Sequence, residues 1–141
     1  MENKQPIVFT VYGEPVAQGR PKATTVGGFV RMYDPKKSKD FKDFVKLVAS
    51  EHAPAALLEG QLKMKVDVFR TIPKSLSKKK AAQAEAGEIR PTSKPDVDNY
   101  LKGIKDALKS VIWKDDSQVV EVLVSKWYSE RPRVEVQIAE I

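Results

Sequence analysis

Residues 94–108 read Lys-Pro-Asp-Val-Asp-Asn-Tyr-Leu-Lys-Gly-Ile-Lys-Asp-Ala-Leu. Within and just beyond them, Leu101, Ile104, Leu108 and Val111 recur at steps of three, four and three. That spacing is one apolar face of an α-helix and predicts a helix over 97–111. Asp96 and Asp98 stand at its start. The positive end of the helix dipole favours carboxylates there by ~0.3–1 kcal/mol, so capping alone accounts for either acid. Lys102 lies four residues after Asp98 and shares its face, and Lys105 and Lys109 continue that line. Two acids followed by three cations suit a hard metal ion at one end, with phosphate contacts running from it. A second acid pair, Asp115-Asp116, lies in the short turn Trp113–Asp116 before a β-rich run. Solvated acids are common in such turns.

On either side of this helix the pattern alternates between strand and helix. Residues 7–12 are β-branched and aromatic and read as a strand that Gly13-Glu14-Pro15 stops. Gly27-Gly28 between residues 24–26 and 29–33 signals a hairpin. Phe41, Phe44, Val45 and Val48 form the predicted core face of a helix over 36–52. Leu62, Met64, Val66 and Val68 alternate with Lys63, Lys65, Asp67 and Phe69, the period of a half-buried strand. Ser75 or Ser77 caps a short predicted helix over 76–86, which Gly87 closes. Residues 118–128 and 133–139 read as two further strands. The order predicts one α+β domain over residues 1–141, with a mixed or antiparallel sheet and helices packed on one face.

The composition narrows the chemistry. The chain has 141 residues, no cysteine and one histidine, His52. Thiol nucleophiles and Cys-ligated metals are excluded, and a catalytic triad or two-histidine metal site nearly so. Any metal chemistry must rest on carboxylates, which favour Mg²⁺ or Mn²⁺. The net charge is +6, and the excess sits in residues 61–110, with 12 Lys or Arg against 6 Asp or Glu. A polyanionic partner fits that distribution. No apolar run approaches the ~18 residues that span a bilayer, and the N-terminus lacks a secretory apolar stretch. The expectation is a cytoplasmic protein with no membrane contact.

The whole string, Asp96-x-Asp98-Asn99-x-x-Lys102 with Asp106-Ala107-Leu108 and then Asp115-Asp116-x-x-Val119, resembles the RusA family of Holliday-junction resolvases. The upstream Gly13-Glu14-Pro15 and Arg20-Pro21 are similar to that family's first strand exit. The resemblance implies a RusA-like fold and a homodimer of bacterial or phage origin. It also implies Mg²⁺-dependent nicking (Mn²⁺ substituting) of two opposed strands of a four-way DNA junction, in recombination and repair. It assigns Asp96, Asp98 and Asp116 as metal ligands and catalytic acids, and Lys102 as the catalytic lysine. Asp115 and Asn99 would support those ligands from behind. Arg20, Lys22, Lys78, Lys79, Lys94, Lys105 and Lys109 are the expected DNA contacts. The sequence departs from the family at Ser110-Val111-Ile112, where a glycine near the helix exit is missing.

Two other functions fit the residues alone: a non-catalytic, structure-selective nucleic-acid-binding module, and a transferase using a DxD motif. No Gly-rich phosphate loop supports the latter. Helix length adds a geometric expectation. A helix over 97–111 separates its ends by roughly 20 Å, and the link from Val111 to Asp116 spans at most roughly 17 Å. A two-fold dimer would instead bring Asp116 beside the partner's Asp96 and Asp98. His52, alone near a helix end, is expected to be structural, and Trp113 and Trp127 to lie in the core or a dimer interface.

Overall fold

In the computed structural model the described residues are 5–18, 24–26, 29–31 and 36–141, the two short strands by their backbone alone. The elements in order are β1 (Ile7–Tyr12), β2 (Thr24–Val26), β3 (Phe29–Arg31), α1 (Lys36–Ser50), β4 (Leu62–Thr71), α2 (Lys78–Glu85), α3 (Val97–Leu108), a single 3₁₀ turn (Asp116–Gln118), β5 (Val119–Ser129) and β6 (Arg133–Glu140). Four strands form one mixed sheet in the order β1-β6-β4-β5, and β2 and β3 pair as a separate hairpin. β6 runs antiparallel to both β1 and β4, while β4 and β5 run parallel. The α+β class and the mixed sheet expected from the sequence are present.

Alternation in β4 and β6 builds the sheet's inner face. Leu62, Met64, Val66 and Val68 are buried beside Val134, Val136 and Ile138, in the register Met64↔Ile138, Val66↔Val136 and Val68↔Val134. Phe9 and Val11 of β1 extend that layer. Val45 and Ala49 of α1 and Tyr100, Ile104, Ala107 and Leu108 of α3 complete the same core. Burying a side chain of this size stabilises by about 1.5–3 kcal/mol relative to leaving it exposed. The stripe on α3 is thus rotated towards Tyr100, and Leu101 is only partly buried. Phe44, expected in the core, is 45% exposed. Val45, next to it in the chain, points inward and fixes the rotation of α1.

α3 ends at Leu108, three residues before the predicted position. Ser110 takes a left-handed conformation, φ 66°, which breaks helical continuation. Its N–H donates to the Trp113 carbonyl at 2.7 Å, and the chain doubles back so that Ile112 and Trp113 bury completely. Trp113 is therefore core. α2 is capped by Ser77, whose hydroxyl accepts from the Lys80 N–H at 3.2 Å, one of the two candidates the sequence offered. Gly87, at φ 84°, closes it. α1 ends at Ser50, two residues before the predicted position, and His52 just beyond it sets Nδ1 3.1 Å from the Val48 carbonyl oxygen and stacks on Phe9, a structural placement.

Candidate active site

The N-terminus of α3 carries the first acid pair. Asp96 is the N-cap, with extended backbone (φ −75°, ψ 157°), and its side chain makes no capping hydrogen bond. Its carbonyl accepts from the N–H groups of Asn99 and Tyr100 at 3.2 and 3.4 Å, so the backbone begins the helix while the carboxylate does not cap it. Asp98 lies in the first turn. Both are exposed.

Three other elements hold this end of the helix. Lys126 of β5 donates from Nζ to the carbonyls of Ser93 and Pro95, at 2.9 and 3.1 Å. Arg70 of β4 donates from Nη1 to the same Ser93 carbonyl at 3.4 Å. The segment leading into Asp96, which contains the cis Lys94–Pro95 bond, thus hangs from two cations on neighbouring strands. The exit of β1 crosses from the other side. Gln18 donates its N–H to the Asn99 carbonyl at 3.2 Å and packs over Gly103. Glu14 accepts hydrogen bonds from the hydroxyl and N–H of Thr71 at the end of β4. Tyr100 is buried beneath this junction. Burial raises its phenol above the ordinary range, Arg70 opposing that rise and Glu14 adding to it, so it stays protonated at neutral pH.

The second acid pair sits at the far end of α3. The two acids have different surroundings. Asp115 caps the 3₁₀ turn by accepting from the Ser117 N–H at 3.0 Å, and that bond lowers its pKa below the usual carboxylate range. Gln118 completes a capping box. Its Oε1 accepts from the N–H groups of Lys114 and Asp115, and its Nε2 donates to the carbonyls of Leu58 and Gly60. Lys114 adds an exposed ion pair to Glu59 at 2.8 Å. Asp116, half-buried, instead accepts the indole N–H of Trp113 at 2.7 Å. Asp115 therefore holds the turn, and Asp116 is held by it.

The three expected ligands do not meet within one chain. The 12 residues of α3 give ~18 Å of rise between its ends, and the turn bearing Asp116 folds against the C-terminal end. Among the described residues, no group of three or more carboxylates or histidines could hold a metal ion. Lys102 is exposed on α3, with Lys105 half-buried on the same helix and Lys109 exposed just past its end. Lys78 and Lys79 are exposed on α2, and Lys94 is exposed in the loop before Asp96. Asn99 is half-buried in the first turn of α3. Arg20 and Lys22 lie outside the described residues.

Sequence reading overlooked Arg70, Lys126, Glu14 and the role of Trp113, all of which depend on contacts between distant segments. Gln118 was within reach, since Asp115-x-x-Gln118 is itself a capping-box spacing. No helix among the described residues is long and apolar enough to cross a membrane.

Comparison with known proteins agrees with the motif. The chain is 61% identical over 137 residues to the uncharacterized protein YqaN of Bacillus subtilis (strain 168), covering 96% of each. It is 27% identical over 128 residues to the crossover junction endodeoxyribonuclease rusA of Lactococcus phage r1t, covering 90% of this chain and 91% of the phage protein. The family described as Endodeoxyribonuclease RusA matches residues 12–139. A match over nearly the whole domain, with the acid pairs on the α3 entry and the β5 entry, places this chain in the RusA endodeoxyribonuclease family.

Proposed function

We propose that this protein is a homodimeric, Mg²⁺-dependent endonuclease that resolves four-way DNA junctions by paired symmetric nicks, in recombination and repair. The observation that carries this reading is the uncapping carboxylate of Asp96 beside Asp98 on a helix N-terminus, in a chain of the RusA family. These donors suit a hard cation: both are carboxylates, both are exposed, and neither cysteine nor histidine competes nearby. Asp96, Asp98 and Asp116 would hold the ion, with water and a phosphate oxygen filling the remaining positions. A bound Mg²⁺ or Mn²⁺ supplies charge for the crowded phosphate and acidity for a nearby water.

The chain's own residues do the rest. Lys102, on the same helix one turn beyond Asp98, offers an ammonium to the phosphate or the departing oxygen. Lys94, Lys105 and Lys109, with Lys78 and Lys79 on α2, offer salt-sensitive contacts to the DNA backbone, and Arg20 and Lys22 are proposed to join them. In each nick, water oxygen bonds to phosphorus and one phosphoester bond breaks. Tyr100, kept protonated by burial, is no candidate for the base.

The test is cleavage of a mobile four-way junction beside a linear duplex of the same sequence, in Mg²⁺ or Mn²⁺, with Asp98→Asn as control. Symmetric nicks on the junction alone, lost in Asp98→Asn with binding kept, are expected. Binding with no nicking in either metal would overturn the enzyme reading and leave a structure-selective DNA-binding module.

A further inference from the structure

Lys126 and Trp127 are neighbours in β5 and face opposite sides of the sheet, because a strand points successive side chains to opposite faces. Trp127 stands on the face away from α1 and α3. It is level with Phe69 of β4, which is level in turn with Arg133 of β6. The two rings stack with centroids 6.3 Å apart and planes 19° from parallel. A guanidinium closes each end of the row: Arg133 lies 3.8 Å from the Phe69 centroid and Arg90 lies 3.7 Å from the Trp127 centroid. The row is braced by hydrogen bonds. Trp127 donates its indole N–H to Asp67 at 2.9 Å. Arg133 donates to Glu135, Ser129 and the Arg131 carbonyl at 2.9, 3.1 and 2.9 Å.

Arg90 belongs to the segment that delivers the first acid pair. Residues 87–95 pass round the edge of the sheet at β5. On the outer side Gly87 sits against the Trp127 ring, where an added Cβ would come within 3.2 Å, and Arg90 donates from Nε to the Lys126 carbonyl at 2.9 Å. On the inner side the Lys126 ammonium holds Ser93 and Pro95, and Arg70 holds Ser93. Lys126 thus clips the segment on both faces, by its carbonyl and by its ammonium. From Arg90 to Pro95 no backbone N–H reaches a backbone carbonyl among the described residues. The path of this stretch is therefore set by side chains. Arg90 is its first anchor, and Asp96 follows six residues later.

We infer that Arg90, seated on Trp127, is a positioning residue for the acid pair. The aromatic row on the outer face fixes one end of a segment whose other end is Asp96, and through it the placement of Asp96 and Asp98. Arg90 acts through the chain, not by contact with the acids. The inference rests on the reading of those acids as the metal site. It requires a flat guanidinium, which stacks on the indole and donates from Nε at once. An ammonium keeps the charge and loses the flat stack and the Nε bond.

The test compares Arg90→Met, Arg90→Lys, Trp127→Phe and Trp127→Leu, with Lys63→Met as control for an exposed cation on the same sheet face. Three quantities are read: Mn²⁺ affinity without DNA, from the free-ion paramagnetic resonance signal; junction affinity in EDTA; and single-turnover nicking in Mg²⁺. Arg90→Met and Arg90→Lys are both expected to weaken Mn²⁺ binding about tenfold and to slow nicking about 10–100-fold, with junction affinity unchanged. Trp127→Leu is expected to match them. Trp127→Phe, which keeps a ring under the guanidinium, and Lys63→Met are expected to stay near wild type. The Asn99 and Tyr100 amides bond to the Asp96 carbonyl. Their hydrogen exchange is expected to quicken in Arg90→Met while the β4 amides stay protected.

Wild-type Mn²⁺ affinity in Arg90→Met overturns the inference. So does recovery in Arg90→Lys with the loss confined to junction affinity, a result that makes Arg90 a DNA-backbone contact instead. A wild type that binds no Mn²⁺ and nicks no junction overturns the resolvase reading. The clamp is then judged by exchange alone, standing if the Asn99 and Tyr100 amides quicken in Arg90→Met and falling if they do not.

Discussion

The indole N–H of Trp113 donates to Oδ1 of Asp116 at 2.7 Å, from a ring that is fully buried. A rigid core side chain thus fixes the orientation of a surface carboxylate. Trp113→Phe keeps most of the packing and removes the bond. With Asp116 in its proposed role as a metal ligand, the expected result is a 10–100-fold loss of junction nicking. Stability should fall by about 0.5–1.5 kcal/mol for the bond, plus a packing term. Single-turnover nicking and urea denaturation check both.

Lys126 suspends the loop entering α3 by two carbonyls. Lys126→Met keeps the stem and removes the donors. Mn²⁺ affinity, read by loss of the free-ion paramagnetic resonance signal, is expected to weaken about tenfold, while the fold persists by circular dichroism. Lys126→Arg should recover part of it. Unchanged Mn²⁺ affinity in Lys126→Met would assign the lysine to packing only.

Ser110 holds φ 66° at the exit of α3. A residue with a Cβ loses about 1–2 kcal/mol in that conformation, and glycine does not. Ser110→Gly is expected to raise the thermal midpoint by a few degrees. No change on calorimetry would mean the surrounding turn already compensates.

Asp115 has its pKa lowered by the Ser117 N–H it accepts, with Lys109 contributing. A carboxyl depressed on folding stabilises above its unfolded pKa, and that contribution disappears as pH falls through the folded value. The stability difference between wild type and Asp115→Ala should therefore be constant at neutral pH and narrow in acid. Thermal unfolding followed from pH 7 downward, across and below the ordinary carboxylate range, measures it. A gap that stays constant into acid would show that charge plays no part in the cap.

The parts legible in the sequence were those set by local period. β4 announced itself through Leu62, Met64, Val66 and Val68, and α3 through Ile104 and Leu108. The acid motif was legible as well, because its residues are close in the chain. Phe44 misled because a broad apolar stripe does not fix which of two adjacent residues, Phe44 or Val45, points inward. The end of α3 was misplaced because Val111 continues the apolar spacing, while Trp113 finds its burial only in the tertiary fold. Arg70, Lys126 and Glu14 carry no local signal, since their partners lie 23, 31–33 and 57 residues away.

The last strand in the sequence is not at the rim of the sheet: β6 lies between β1 and β4 and hydrogen-bonds to both. During synthesis, β1 and β4 therefore emerge with no bridge between them, and the surface on which α1 and α3 pack stays incomplete. The sheet closes only when residues 133–140 leave the ribosome. A chain lacking them leaves Val66 and Val68 without their neighbours Val136 and Val134.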